Sequence, residues 1–229
     1  MINEPKPLTI CRNTPRPTSQ QITAFQQVPS SFVADALGGG GHLDIGIKPL
    51  LPVTKPMAGP ALSVANQPGD ILASMAALNF IQPGDIVVAT NSAHQGYATA
   101  GDRLCGMMKN NKARGFISDG PLRDRAGLMA VGLPVWATGF TPGSPFSNGP
   151  GAVGLPIQIG GQTVQTGDMI IADDDGVVVV PFAQIDQTIA NLADIQQQET
   201  KLDQEVENGL KIPPGIAALL NSDQVDFRS

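Results

Sequence analysis

A chain of 229 residues, 41% hydrophobic and 15% charged, is long enough to bury a core and too apolar to remain disordered. Its net charge of −6, with basic residues scattered, excludes a phosphate-neutralising patch and an anionic membrane surface as partners. Apolar runs stay below the roughly 20 residues of a spanning helix, the opening MINEPKPLTI lacks the basic-then-apolar order of a leader, and Cys11 and Cys105 form no CxxC, so a cytoplasmic chain with two free thiols is expected.

In chain order, residues 1–20 read as a Pro-rich N-terminal arm leading to a first helix near Ser19. SSFVADAL follows cap-type serines and stops at the run Gly38–Gly41, which predicts a short helix and a turn. IKPLLP and GPALSV read as strands interrupted by proline. ILASMAALNF reads as a helix with Asp70 near its start. Asp85–Thr90 is an apolar, β-branched strand, 91–100 a loop, Asp102–Asn111 a helix, and RGFISDG a strand ending at Gly120. A short helix (RDRAGLMAVG), a strand (LPVWATGF), a Gly/Pro-rich loop and further strands (IQIGGQTV, DMIIADDDGVVVVP) follow. From 182 to 209 Ile185, Ile189, Leu192, Ile195 and Leu202 recur at helical spacing, and 210–229 is left as a tail. Strands alternating with short helices, with no clear break, predict one α/β layered domain over 1–229. Sparse charge on a chain with 26 Gly and 20 Pro implies a surface partly covered by other subunits.

Twenty residues lie between Asp102 and Arg123-Asp124. In a strand–helix–strand unit the two strand ends lie side by side at the carboxyl edge of a parallel sheet, where α/β proteins bind ligands. That spacing brings Asp102, Arg123 and Asp124 together, beside the amide groups of Gly101 to Leu104 at a helix amino end. The unit then supplies an anion cradle, a fixed cation and a carboxylate for a hard metal. The same residues also fit a plain helix cap at Asp102 and a surface ion pair between Arg123 and Asp124.

The run VADALGGGG, IKPL, MAGPALSV, PGDIVVAT, GDRL, ARGFISDGPLRD and GLPVWATG resembles the 4-hydroxy-4-methyl-2-oxoglutarate aldolase family, which also contains the regulator of ribonuclease E activity A. The likeness spans roughly residues 30–210, and Asp102…Arg123-Asp124 matches the family's acid, twenty residues, Arg-Asp signature. It implies a layered β/β/α swivelling-type domain with a C-terminal helix, assembled as trimers or stacked hexamers with the site between subunits. It implies a class II pyruvate aldolase cleaving a 4-hydroxy-2-oxo acid, such as 4-hydroxy-4-methyl-2-oxoglutarate or 4-carboxy-4-hydroxy-2-oxoadipate. Oxaloacetate decarboxylation would be a side activity, and aromatic-ring degradation the setting. By the same resemblance Asp124 holds Mg²⁺ or Mn²⁺, Arg123 contacts the keto acid, and Gly101, Asp102, Arg103 and Leu104 meet its carboxylate through their amides. Asp102 positions a water for proton transfer. An acid from a neighbour's C-terminal helix reaches the metal's outer shell, with Glu199 as candidate and Asp203 and Glu205 as competitors. The alternative is a non-catalytic regulator that docks on a ribonuclease. The loop NSAHQGYATA and Ser118 depart from the family pattern, which bears on substrate choice.

A hard dication suits such a reaction because it takes up negative charge developing on the pyruvate fragment and needs only one or two carboxylates. The lysines fall in polar or loop contexts, which disfavours a Schiff base. Gly38–Gly41 lacks the Lys-Ser/Thr of a P-loop, and Asp173-Asp174-Asp175-Gly176 lacks the remaining ligands of a calcium loop. His94 and His42 read as ordinary loop histidines, and Met107-Met108 as core packing.

Overall fold

The computed structural model describes residues 6–228. The chain opens with β1 (Leu8–Ile10), α1 (Ser19–Ala24) and α2 (Ser30–Ala36), then β2 (Lys48–Pro49) and the long β3 (Met57–Ala65). The central unit is α3 (Leu72–Ala77), β4 (Ile86–Thr90), α4 (Asp102–Asn110), β5 (Gly115–Ser118), α5 (Arg125–Val131) and β6 (Val135–Ala137). Next come β7 (Gly151–Val153), β8 (Ile157–Ile159), β9 (Gln162–Val164), β10 (Met169–Ala172) and β11 (Val177–Val180), and the chain closes with α6 (Ile185–Glu207) and α7 (Pro214–Leu220).

Strands β3, β4, β5 and β6 run parallel, with β4 between β3 and β5. Every residue of β4 is buried, as its continuous β-branched run requires for a strand covered on both faces. The two-residue period sorts its side chains. Val87 and Ala89 point to a core shared with Leu104, Cys105 and Met108 of α4 and Leu128 of α5. Ile86 and Val88 point the other way, onto Ile157, Ile159, Ile170 and Val179. Strand β3 serves three partners: Met57–Pro60 pair antiparallel with β10, Ala61–Ala65 pair parallel with β4, and Val64 and Ala65 pair antiparallel with β7. The β10–β11 hairpin and the β8–β9 hairpin thus form a second β layer. Its outer face, through Met169, Ile171, Val178 and Val180, packs on α2 and α6. The result is the expected β/β/α layering with a C-terminal helix, and a further helical layer of α1, α2 and α6 outside it.

Four local readings are corrected. The Pro-rich arm contains β1, an edge strand paired parallel with β7, and residues 1–5 lie outside the described ones. β7 itself sits in what reads as pure loop; it pairs with both β1 and β3, so tertiary pairing overrides the absence of any pattern. The tail forms α7, where Pro214 occupies the first helical turn and needs no amide partner. Met107 is 41% exposed while Met108 is fully buried, so only one of the pair is core.

Candidate active site

The parallel register puts Ala89 beside Ser118, so the strand ends of β4 and β5 meet at one edge. Asp119, just past β5, ties them together: its carboxylate accepts from Thr90 Oγ1 at 2.6 Å and from the amides of Asn91 at 2.7 Å and Ala93 at 2.9 Å. Beyond this knot the two loops run parallel for one more step. Ala100 bridges Leu122, and the Arg123 amide donates to the Ala100 carbonyl at 3.1 Å. The next residues along the two loops are Gly101 and Arg123-Asp124, which are therefore held side by side.

Gly101 is the amino cap of α4 and adopts an extended conformation open to any residue. Glycine is required there for space: a Cβ would stand 2.6 Å from Asp124 Oδ2 and 3.1 Å from Arg123 Cγ. Asp124 adopts a left-handed conformation (φ 61°, ψ 47°) at the amino end of α5, and its backbone carbonyl accepts from Leu128. That unusual backbone turns its carboxylate back toward α4. Arg123 Nε lies 3.2 Å from Asp124 Oδ2, and Nη1 donates to Ser144 Oγ at 3.0 Å. Asp102 is the first residue of α4; its Oδ1 accepts the Arg103 amide at 2.7 Å, and its other oxygen packs on Gly127, where no Cβ would fit.

A cavity of about 410 Å³ opens here, and Gly101, Asp102, Arg103, Leu104, Arg123 and Asp124 all line it. Its remaining wall is apolar, from Ile71, Met75, Met107 and Pro145. Both sides of the Asp-x20-Arg-Asp spacing thus converge on one cavity. One detail differs from expectation. Of the four amide groups expected to meet an anion at the start of α4, that of Arg103 is already engaged by its neighbour's carboxylate, which leaves Gly101, Asp102 and Leu104 as the candidates. Glu199 sits half-buried in the outer half of α6 and is not among the residues that line this cavity. Asp203 is exposed, and Glu205 lies 3.9 Å from Lys201. None of the three lines the cavity that holds Asp124.

The other candidates separate from the site. The His94 ring stacks on Tyr97 at 5.6 Å, is not part of the cavity lining, and its Nε2 is enclosed without a hydrogen-bond partner. His42 bridges Val178 on another face. Asp173 accepts the amide and hydroxyl of Ser30, which makes the Asp-Asp-Asp-Gly run a structural turn between β10 and β11. Burial, aided by the charge of Asp102, pushes the Cys105 thiol up to about 12, so it stays protonated and is no nucleophile. Among the described residues, no group of three or more His, Cys, Asp or Glu side chains is arranged to hold a metal ion. The cavity does offer two carboxylates, Asp102 and Asp124, and that donor set fits a hard dication that keeps most of its waters.

Sequence reasoning overlooked Ser144, which sits in a Gly/Pro-rich loop with no periodicity to flag it. A serine flanked by Gly143 and Pro145 was the only signal.

The model of the RraA-like family (Aldolase/RraA) matches residues 30–179. The chain belongs to the RraA-like family. A Halalkalibacterium halodurans member, provisionally named a 4-hydroxy-4-methyl-2-oxoglutarate aldolase, is 36% identical over 163 residues, or 71% of this chain and 77% of that one. Among solved structures of the RraA-like fold, Streptomyces coelicolor RraAS2, described as an unusual member of the RNase ES inhibitor RraA family, aligns with TM-score 0.74 at 27% identity. That alignment covers 83% of this chain and all of the other. A Pseudomonas syringae protein aligns with TM-score 0.77 at 22% identity over 88% and 94% of the two chains, which shows the shared fold.

Proposed function

We propose that this protein is a divalent-metal-dependent aldolase that cleaves a 4-hydroxy-2-oxo acid to pyruvate and also decarboxylates oxaloacetate. One observation carries the reading: Asp102, Arg123, Asp124 and the amino end of α4 share a single cavity, although twenty residues separate the two halves of the set. The name of the 36% identical relative supports it.

Asp124, with Asp102 nearby, would hold Mg²⁺ or Mn²⁺, directly or through water. When bound, such an ion acts as a Lewis acid that disperses the negative charge developing on the pyruvyl oxygens. The chain's own residues do the rest. The amides of Gly101, Asp102 and Leu104 and the guanidinium of Arg123 receive the carboxylate and C2 oxygen of the keto acid. An arginine stays charged at any working pH, so this contribution needs no protonation step. Asp102 orients the water that takes the proton from the C4 hydroxyl. The C3–C4 bond then breaks, its electron pair moves into the enolate of pyruvate, and C4 leaves as a carbonyl. With oxaloacetate the departing group is carbon dioxide and the enolate is the same.

An acid from a neighbouring copy, with Glu199 the first candidate, would complete the surroundings of the ion. The apolar side chains exposed beside the cavity, Met75, Met107 and Phe146, support a site closed by a second subunit in a trimer or hexamer. No described helix is long and apolar enough to cross a membrane. The test is release of pyruvate from 4-hydroxy-2-oxo acids and oxaloacetate, before and after EDTA and after Mg²⁺ or Mn²⁺ is restored. Expected is turnover lost to the chelator and regained with the ion.

The second reading is a regulator that docks on a ribonuclease, favoured by the likeness to RraAS2 at 27% identity. Absence of turnover on the whole substrate panel, with inhibition of a ribonuclease E-type enzyme, would establish it instead.

A further inference from the structure

Arg123 and Asp124 are sequence neighbours whose charged ends already approach to 3.2 Å. Left to themselves, a guanidinium and a carboxylate adopt a two-pronged pairing, which would neutralise both groups. In this cavity that pairing would take from Asp124 the charge it needs for a cation and from Arg123 the donors it needs for an anion. A third group stands in the way. Nη1 donates to Ser144 Oγ at 3.0 Å, so the fork is stretched between two acceptors, and Nη2 has no protein acceptor among the described residues.

Ser144 is exposed, in a loop that has no regular structure but is tied down on both sides of it. The Thr141 amide donates to the Leu122 carbonyl, the Ala98 amide to Gly143, and the Phe146 amide to Gly69, while the Ile71 amide donates to Phe146. Asp70, 5% exposed, accepts the amides of Asn148 at 2.6 Å and Gly149 at 3.0 Å. A Cβ on Gly143 would stand 2.5 Å from the Gly96 carbonyl, so the loop lies hard against the 91–100 segment. Phe146 packs edge-on against Tyr97 at 5.6 Å. Anchors on both sides of Ser144 set the course of its backbone before any ligand arrives, and its exposed hydroxyl faces the Arg123 guanidinium.

We infer that Ser144 is a positioning residue: it limits the guanidinium of Arg123 to a one-point contact with Asp124 and aims its free donors at the carboxylate of the bound keto acid. This rests on the reading of Arg123 as the keto-acid contact. It also explains the many ties on the 141–149 loop, and it gives the His94–Tyr97 stack a buttressing role instead of a chemical one.

The test compares Ser144→Ala, Ser144→Thr, Arg123→Ala and the Ser144→Ala/Arg123→Ala pair, with pyruvate binding measured by calorimetry in Mg²⁺. Ser144→Ala should weaken pyruvate about tenfold, the lower end of the range for one hydrogen bond to a charged group because this one is exposed, and raise KM more than it lowers kcat. Ser144→Thr should restore binding to within about threefold, and Ser144→Ala should add less than about twofold in the Arg123→Ala background. Equal weakening in both backgrounds, or none in the native one, overturns the inference. Crystal structures of the native protein and Ser144→Ala decide it independently of any ligand. The guanidinium should rotate onto Asp124 in the variant, and an unmoved guanidinium overturns the inference even if the protein proves to be no aldolase. Failure of the native protein to bind or release pyruvate would sink the aldolase reading alone.

Discussion

Gly101 and Asp124 share a space too small for one more carbon. With a Cβ at 101 only 2.6 Å from Asp124 Oδ2, Gly101→Ala must displace the carboxylate, whereas its extended backbone costs alanine nothing. The expected result is separable: metal-dependent pyruvate release falls about tenfold or more, by loss of a placed group, while the thermal midpoint moves little. A variant with native turnover would show that Asp124 plays no part. Arg123→Ala makes the complementary prediction. The side chain is 36% exposed and braces no core element, so folding should persist by circular dichroism. kcat/KM should nonetheless drop about a hundredfold or more, the scale of losing a preorganised charge partner at the reacting centre. These residues were legible in the sequence as candidates because they match the family's acid, twenty residues, Arg-Asp signature, whereas their spacing alone also fits a helix cap and a surface ion pair. Ser144 was not, since a lone serine among Gly and Pro carries no period, and only the fold reveals which side chain it faces.

At the scale of elements, legibility followed pattern. β4, α4 and β5 announce themselves by a β-branched run, a glycine before an acidic first turn, and a second apolar run, and they set the site. β1 and β7 carry three residues each and exist because β1 pairs with β7 and β7 with β3, which no local window can show. The arm that carries β1 is also fastened by charge. Arg16 Nη1 lies 2.5 Å from Asp85 Oδ1, with the Asp85 side chain 4% exposed. Burial raises the Asp85 carboxyl above its usual range, opposed by the Gln82 amide and by Arg16. A carboxyl raised on folding withdraws stability as pH climbs through its folded value, because the folded state must then hold the charge. Arg16→Ala removes the partner, so its penalty should be smaller at pH 4 than at pH 7.5, because a raised carboxyl takes up its proton sooner than an ordinary one as pH falls. The penalty should grow to about 1–3 kcal/mol at pH 7.5, when the buried carboxylate stands unpaired. Urea unfolding at the two pH values checks this, and a penalty independent of pH would show that Arg16 acts by packing alone.

Taken whole, the chain leaves one region without a counterpart. Ile185, Ile189, Leu192 and Ile195 seat the first half of α6 against the third core cluster, as their spacing predicts. Leu202 continues the stripe but is 42% exposed, and Val206 is 57% exposed. Ile216, Leu219 and Leu220 of α7 are also exposed, so the C-terminal helices present apolar side chains beyond the body of the domain. A chain with only 15% charged residues can scarcely keep such a surface in water alone, and symmetric self-association is the commonest way to bury it. The same acid-rich helix carries Glu199, which does not line its own chain's cavity. Assembly would therefore bury the apolar stripe and bring a carboxylate to a neighbour's cavity in one step. Light scattering should give three or six times the 23.8 kDa chain mass. Leu202→Asp with Val206→Asp should release single chains that remain folded but lose turnover, whereas Glu199→Gln should keep the native mass and lower activity at limiting Mg²⁺. A native protein that runs as one chain while fully active would show that the cavity is complete without a neighbour.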